Sequence, residues 1–247
     1  MQQPRFKRIM LKVGGESLMG KREYGIDPQT TLEVAQRIKV IHDRGVEIAI
    51  VIGGGNIFRG LAASKQGLDR ATGDYMGMLA TVMNGLALQD ALESIGIHTR
   101  LQSALQMPAV AESFIRRKAL SHLRKGRVLI LAAGTGVPYV TTDTGAALHS
   151  LELHCDVLMK ATKVDGIYET DPIQDPKARR YKTLTFDDAI RLPGVQVMDT
   201  AALAMAQEND MPIMVFKLFE KDHLEQAIDG KDIGTYVSNQ VKTVLAK

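Results

Sequence analysis

The chain has 247 residues, 45% hydrophobic and 24% charged, enough for one large α/β domain with a substantial core. A net charge of +3 without any Lys/Arg block, no tryptophan and few aromatics argue against a nucleic-acid interface. No apolar run approaches the roughly 18–20 residues that span a bilayer. Met1–Arg8 carry no signal-peptide core, and Cys155 is alone, so no intrachain disulfide forms and a cytoplasmic setting is expected.

In chain order, the first apolar run is Ile9–Val13, which enters Gly14-Gly15. Asp27-Pro28 then starts a helix with a capping carboxylate and a proline at the first helical position. Leu32, Ala35, Ile38 and Ile41 give it an apolar stripe, and Gly45 ends it. A second run, Val46–Ile52, enters Gly53-Gly54-Gly55. A long helix follows from about Asp69 to Gly96; its Met76, Leu79, Met83 and Leu86 stripe reads as core or subunit interface.

Ile97–Leu101 reads as a strand, Ala109–Leu123 as a helix, and Arg127–Ala133 as a strand entering Gly134-Thr135-Gly136. A helix is expected at Thr144–His154, with Cys155 as a buried structural thiol in a helix-like stretch, then a strand at Val157–Ala161. Asp171–Pro176 reads as a shaped loop, Met198–Asn209 as a helix, and Ile213–Lys217 and Gly234–Ser238 as the last strands. Strands alternating with helices predict an open, mainly parallel twisted sheet sandwiched between helices.

Three β-branched runs ending in glycine turns suggest a site for several phosphates. Ligands bind open α/β sheets at the carboxyl ends of strands, and glycine lets backbone come close. Gly15–Arg22 imitates a Walker A loop, yet Arg22 stands where Ser or Thr would hold magnesium, and Lys21 opens no helix. Lys12 is a charge inside an apolar strand, one residue before a double glycine. It is either an edge lysine reaching water or an ammonium beside a phosphoryl group; the glycines favour the second. Arg59, just past the second loop, is placed to grip a phosphate bidentately. Asp74 is either a helix cap or an acceptor for sugar hydroxyls. Thr142 or Asp143 caps the Thr144 helix, whose N-terminus is itself an anion site.

These motifs resemble those of bacterial UMP kinases in the amino-acid-kinase superfamily. The resemblance runs from Lys7–Lys12 to the Gly234-Thr235 strand. It is most specific at Val51–Gly60, Gly73–Leu86, Lys160–Tyr168 and Asp171-Pro172. It implies a single kinase domain over residues 1–247, with the acceptor side mostly in 1–150 and the ATP side mostly in 151–247. The implied reaction moves the γ-phosphoryl group of MgATP to UMP, with Lys12, Arg59 and Asp143 catalytic. ATP would be held by Lys12, Val13, Gly14, Gly15, Gly55, Arg59, Thr162, Tyr168 and Asp171. UMP would be held by Gly54, Asp74, Thr135, Gly136, Val137, Pro138, Tyr139, Val140, Thr141 and Thr142. No protein ligand for magnesium is identified. Family members are typically hexamers activated by GTP and inhibited by UTP; Gly20, Lys21, Arg22, Glu23, Tyr24 and Gly25 match the region tied to the GTP response. A kinase of the same fold acting on a carboxylate or carbamate, and a non-catalytic nucleotide- or oxyanion-binding protein, are the alternatives.

Overall fold

The computed structural model describes residues 3–60, 67–172, 174–192 and 198–246. Within them lie strands β1 (Arg8–Val13), β2 (Glu47–Ile52), β3 (Thr99–Ser103), β4 (Glu112–Ser113) and β5 (Val128–Ala132). Further along come β6 (Val157–Thr162), β7 (Tyr181–Leu184), β8 (Ile213–Lys217), β9 (Thr235–Val237) and β10 (Val244–Leu245). All ten join one sheet in the order β10-β7-β9-β8-β6-β1-β2-β5-β3-β4. Pairing is parallel except where β9 meets β8 and β10 meets β7. The helices are α1 (Pro28–His42), α2 (Arg70–Ser94), α3 (Arg116–Arg124), α4 (Thr142–Glu152), α5 (Phe186–Arg191), α6 (Thr200–Glu208) and α7 (His223–Ile228).

Strand alternation divides the core into two layers. Ile9, Leu11 and Val13 of β1 join Ile48, Ile50 and Ile52 of β2 against α1, α2 and α7, through Ile38, Leu88 and Leu224. Met10, Val51, Leu129 and Leu158 point the other way, onto Ala119 of α3, Ala146 of α4, Phe186 of α5 and Leu203 of α6. Because successive side chains alternate faces, Lys12 shares the Met10 face and Lys160 the Leu158 face. Both lysines therefore point toward the α4 layer.

The helix starts follow local capping chemistry. The Asp27 carboxylate accepts from the Thr30 amide at 2.8 Å, with Pro28 in the first turn. Asp69 does the same for α2 through the Thr72 amide at 2.9 Å. Beyond α1, Gly45 takes φ +80°, the left-handed turn that glycine accepts at little cost.

Several expectations shift. The helix expected over Ala109–Leu123 begins only at Arg116. The chain before it pairs in parallel with β3, Gln102 beside Glu112 and Ser103 beside Ser113. Glu112 is held there by Gln102 and by His122, 3.1 and 3.0 Å away. The third strand runs Thr99–Ser103, two residues later than expected, and α4 starts at Thr142. Cys155 lies between α4 and β6, outside any helix, and is buried. Asp171–Pro176 is non-helical chain as read, with Ile173 outside the described residues. The Met76, Leu79, Met83 and Leu86 stripe is not core: these side chains are 39–54% exposed, while Met78, Val82 and Leu88 face inward. Among the described residues no helix is long and apolar enough to cross a membrane.

Burial pushes the Cys155 thiol up to about 12, so at pH 8 it is protonated. Native protein is therefore expected to resist an aromatic disulfide reagent at pH 8, and unfolded protein to release one equivalent of chromophore; rapid native labelling contradicts the buried placement.

Candidate active site

The parallel registers carry the strand ends to one edge of the sheet. Lys12 sits beside Val51 on β2 and Lys160 on β6, and Val13 beside Ile52 and Ala161. Since β1 is flanked on both sides, Lys12 is no edge residue, and the solvent-reaching alternative is excluded. Its ammonium lies 2.7 Å from Oδ1 of Asp143, and that of Lys160 lies 2.7 Å from Oδ2. All three side chains are 12–15% exposed. Burial alone would raise the Asp143 carboxyl, but the charges of Lys12 and Lys160 outweigh it and hold the group below its ordinary value. Lys160 is lowered, by burial first and then by Lys12, against the pull of Asp143. Two ammoniums thus flank one carboxylate, with Asp199 also acting on Lys160 and Glu16 feeling the charge of Lys12.

Asp143 reaches this position through the cap of α4. Thr141, not Thr142 or Asp143, is the capping residue: its hydroxyl accepts from the amides of Asp143 and Thr144 at 3.1 and 3.3 Å. It donates in turn to Asp199, which also takes the Thr144 hydroxyl at 2.7 Å and caps α6 through the Ala202 amide at 2.9 Å. One carboxylate thus fixes the starts of both helices.

On one side of the cluster, a cleft is lined by Gly54, Gly55, Asp74, Gly134, Val140 and Thr142. A Cβ at Gly54 would come within 2.7 Å of the Gly77 carbonyl and 2.9 Å of Ala80, so only glycine lets this loop touch α2. Asp74 lies inside α2 and is not its cap. Arg70, four residues earlier, grips both its oxygens at 3.0 and 2.9 Å, and the Tyr139 amide donates at 2.8 Å. The Arg70 guanidinium also sits 5.5 Å above the Tyr139 ring. Among the described residues the buried Thr135 hydroxyl finds no hydrogen-bond partner; it lies between the left-handed Gly134 and Gly136. Val137 and Tyr139 stand exposed at the rim, beside Pro138.

On the other side, Lys160, Thr162, Tyr168 and Asp171 line a second cavity of about 590 Å³. The Tyr168 hydroxyl donates to Asp165 at 2.6 Å; burial first, then this bond, push it up to about 12. Arg59 stands more apart than expected, 63% exposed. It donates to the Gly55 carbonyl at 3.1 Å and pairs with Glu16, whose other oxygen lies 3.1 Å from Lys163. The Lys163 hydrogen bond first, then the charges of Lys163, Arg59 and Lys12, hold Glu16 below its ordinary value against burial. Lys21 lies in an exposed turn, and Gly15 begins only a short 3-10 turn, so the Walker resemblance is not realised. Of the Gly20–Gly25 segment, Arg22 pairs with Asp27 at 3.3 Å and Gly25 bonds the β2 loop; Tyr24 is 79% exposed.

The sequence reading missed Glu16, Arg70 and Asp199 as partners. Arg70 was signalled by its i,i+4 spacing to Asp74 and Asp199 by its cap position before Thr200, whereas Glu16 carried no local sign.

Residues 7–217 match the Amino acid kinase family. The uridylate kinase of Erythrobacter litoralis (strain HTCC2594) is 51% identical over 239 residues, covering 97% of this chain and all of the relative. Among solved structures, UMP kinase from Bacillus anthracis superposes with a TM-score of 0.93 at 34% identity, over 98% of this chain and 99% of that one. UMP kinase from Ureaplasma parvum gives 0.88 at 34% identity, over 95% and 99%.

A carboxyl lowered in the folded state stabilises above its unfolded value near 3.9 and loses that contribution as pH falls through its folded value. Asp143→Asn should therefore lower the thermal midpoint most at neutral pH, with the gap to wild type closing as the solution is acidified below about pH 4. A gap constant down to pH 2 contradicts the assignment.

Proposed function

The chain belongs to the amino acid kinase family, and within it we propose that it acts as a UMP kinase, moving the γ-phosphoryl group of MgATP to UMP to give ADP and UDP. The carrying observation is the Lys12–Asp143–Lys160 cluster between two openings. Thr142, next to Asp143, lines one, and Lys160 lines the other. In this reading the chain is one domain. UMP occupies the cleft of Gly54, Asp74 and the Thr135–Thr142 loop; ATP occupies the cavity of Thr162, Tyr168 and Asp171, its phosphates over Lys12, Gly14 and Gly15.

The chemistry asks little of acid–base groups. The second pKa of a phosphate monoester is about 6, so the acceptor is mostly a dianion at neutral pH and attacks without a general base. Catalysis is then alignment plus charge neutralisation. Lys12 neutralises charge in the β/γ region, Asp143 fixes the two ammoniums, and Arg59 exchanges Glu16 for phosphate. Among the described residues no three His, Cys, Asp or Glu side chains gather as metal donors. Magnesium is assigned to the substrate, as MgATP, because the ion keeps much of its water and binds through substrate phosphates. We further assign the enzyme to cytoplasmic pyrimidine nucleotide synthesis and a hexamer responsive to GTP and UTP, with Gly20–Gly25 in the GTP response. The exposed apolar stripe of α2 supports a subunit contact.

Purified protein should release ADP with UMP and MgATP, and not with glutamate or aspartate, in a coupled assay repeated with GTP and UTP. Lys12→Ala should cost about 10²–10³-fold in kcat with a smaller change in KM for UMP. Absence of UDP, or full activity of Lys12→Ala, refutes the assignment. Replacing Leu79 and Met83 together by Glu should reduce the mass found by light scattering; an unchanged mass removes α2 from the interface.

A further inference from the structure

Two buried amides stand behind the glycine loops without facing either opening. Asn56 follows the β2 loop and is 3% exposed; Asn84 lies on the inward face of α2 and is fully buried. Asn84 Nδ2 donates to the Gly53 carbonyl at 2.7 Å and to Asn56 Oδ1 at 2.7 Å. Asn56 Nδ2 donates to the Gly25 carbonyl at 2.8 Å and to Asn84 Oδ1 at 3.0 Å. The two backbone carbonyls accept only, which fixes which end of each amide is nitrogen. Each NH2 then spends one hydrogen on a carbonyl and one on its partner, closing a ring in which every donor is used.

This pair touches three segments that border the site. The Gly25 amide donates to the Asn56 carbonyl at 2.7 Å, so the Gly20–Gly25 segment is tied by two bonds. A Cβ at Gly15 would stand 2.2 Å from Asn56 Oδ1 and 3.0 Å from Asn84 Nδ2, so the β1 loop packs directly on the amides. The third tie is the Gly53 carbonyl. A trans peptide is planar with its C=O and N–H opposed, so drawing that oxygen inward turns the Gly54 N–H outward. Gly54 lines the cleft beside Asp74.

We propose that Asn84, acting with Asn56, is a positioning residue for phosphoryl transfer: by holding the Gly53 carbonyl it aims the Gly54 amide at the transferring phosphate and sets the β1 loop beside it. The proposal rests on the kinase reading above. It assigns these residues no contact with either nucleotide; they work through the peptide plane.

The test is steady-state kinetics of wild type, Asn84→Ala, Asn56→Ala and the double variant, varying UMP and MgATP, with thermal midpoints alongside. Misaimed loop amides should lower kcat roughly 10–100-fold while KM for UMP moves far less. The double variant should be no worse than the worse single one, because the pair acts as a unit. A purely structural pair would lower the midpoint and leave kcat of the folded enzyme intact, and that result overturns the proposal. Should Asn84→Ala fail to fold, Asn56→Ser, which keeps a small polar group, decides on the same kcat criterion. A wild type that forms no UDP overturns the kinase reading and this proposal with it, whereas an active wild type with unimpaired variants overturns this proposal alone.

Discussion

Two ammoniums share one carboxylate in a place with little access to water, and the rest of the site is arranged around that cluster. Buried ions are costly unless paired, and a carboxylate held between two ammoniums pairs all three. The arrangement needs no unusual local sequence. Parallel pairing puts Lys12 and Lys160 side by side, and the two-residue alternation of strands turns both toward the helix layer that carries Asp143. Moving either lysine one position along its strand would send it into the opposite core.

Around that charge, much of the positioning is done by backbone groups and the side chains that hold them. Asp199 ties the beginnings of α4 and α6, and so fixes where Asp143 stands. The Arg70–Asp74–Tyr139 contact joins α2 to the loop after β5 beside the cleft lined by Gly54 and Thr142. These are short polar contacts between elements far apart in sequence, laid over a sheet whose hydrophobic layers supply the rigidity.

What was legible in the sequence follows from this division. The central strands announced themselves because strands buried on both faces read as unbroken Ile, Leu and Val runs. Lys12 was conspicuous as a charge within one of them. Asp27 betrayed its helix by cap chemistry. The edges were illegible: β4, β7 and β10 are short, and Lys182 or Val244 sits half in solvent with no period to detect. The Ala109–Leu123 expectation failed because Val110 and Ile115 face outward, so their apolar character marked no helix core. In the site, the partners Arg70 and Asp199 left a local sign in spacing or cap position, and Glu16 left none. Nothing within a few residues of Glu16 foretells Arg59 and Lys163, and Thr141 was passed over as the cap because its neighbours have equal capping ability.

The placement of β1 also bears on how the chain is made. Ile9 pairs with Ile48 on one side and with Val157 on the other. As the polypeptide leaves the ribosome, the first partner arrives early and the second only after most of the chain has been synthesised. Until then this central strand presents a bare hydrogen-bonding edge, the kind of edge that recruits foreign strands. A nascent chain of this protein thus carries an open β1 edge from the pairing of β1 with β2 until β6 has been made.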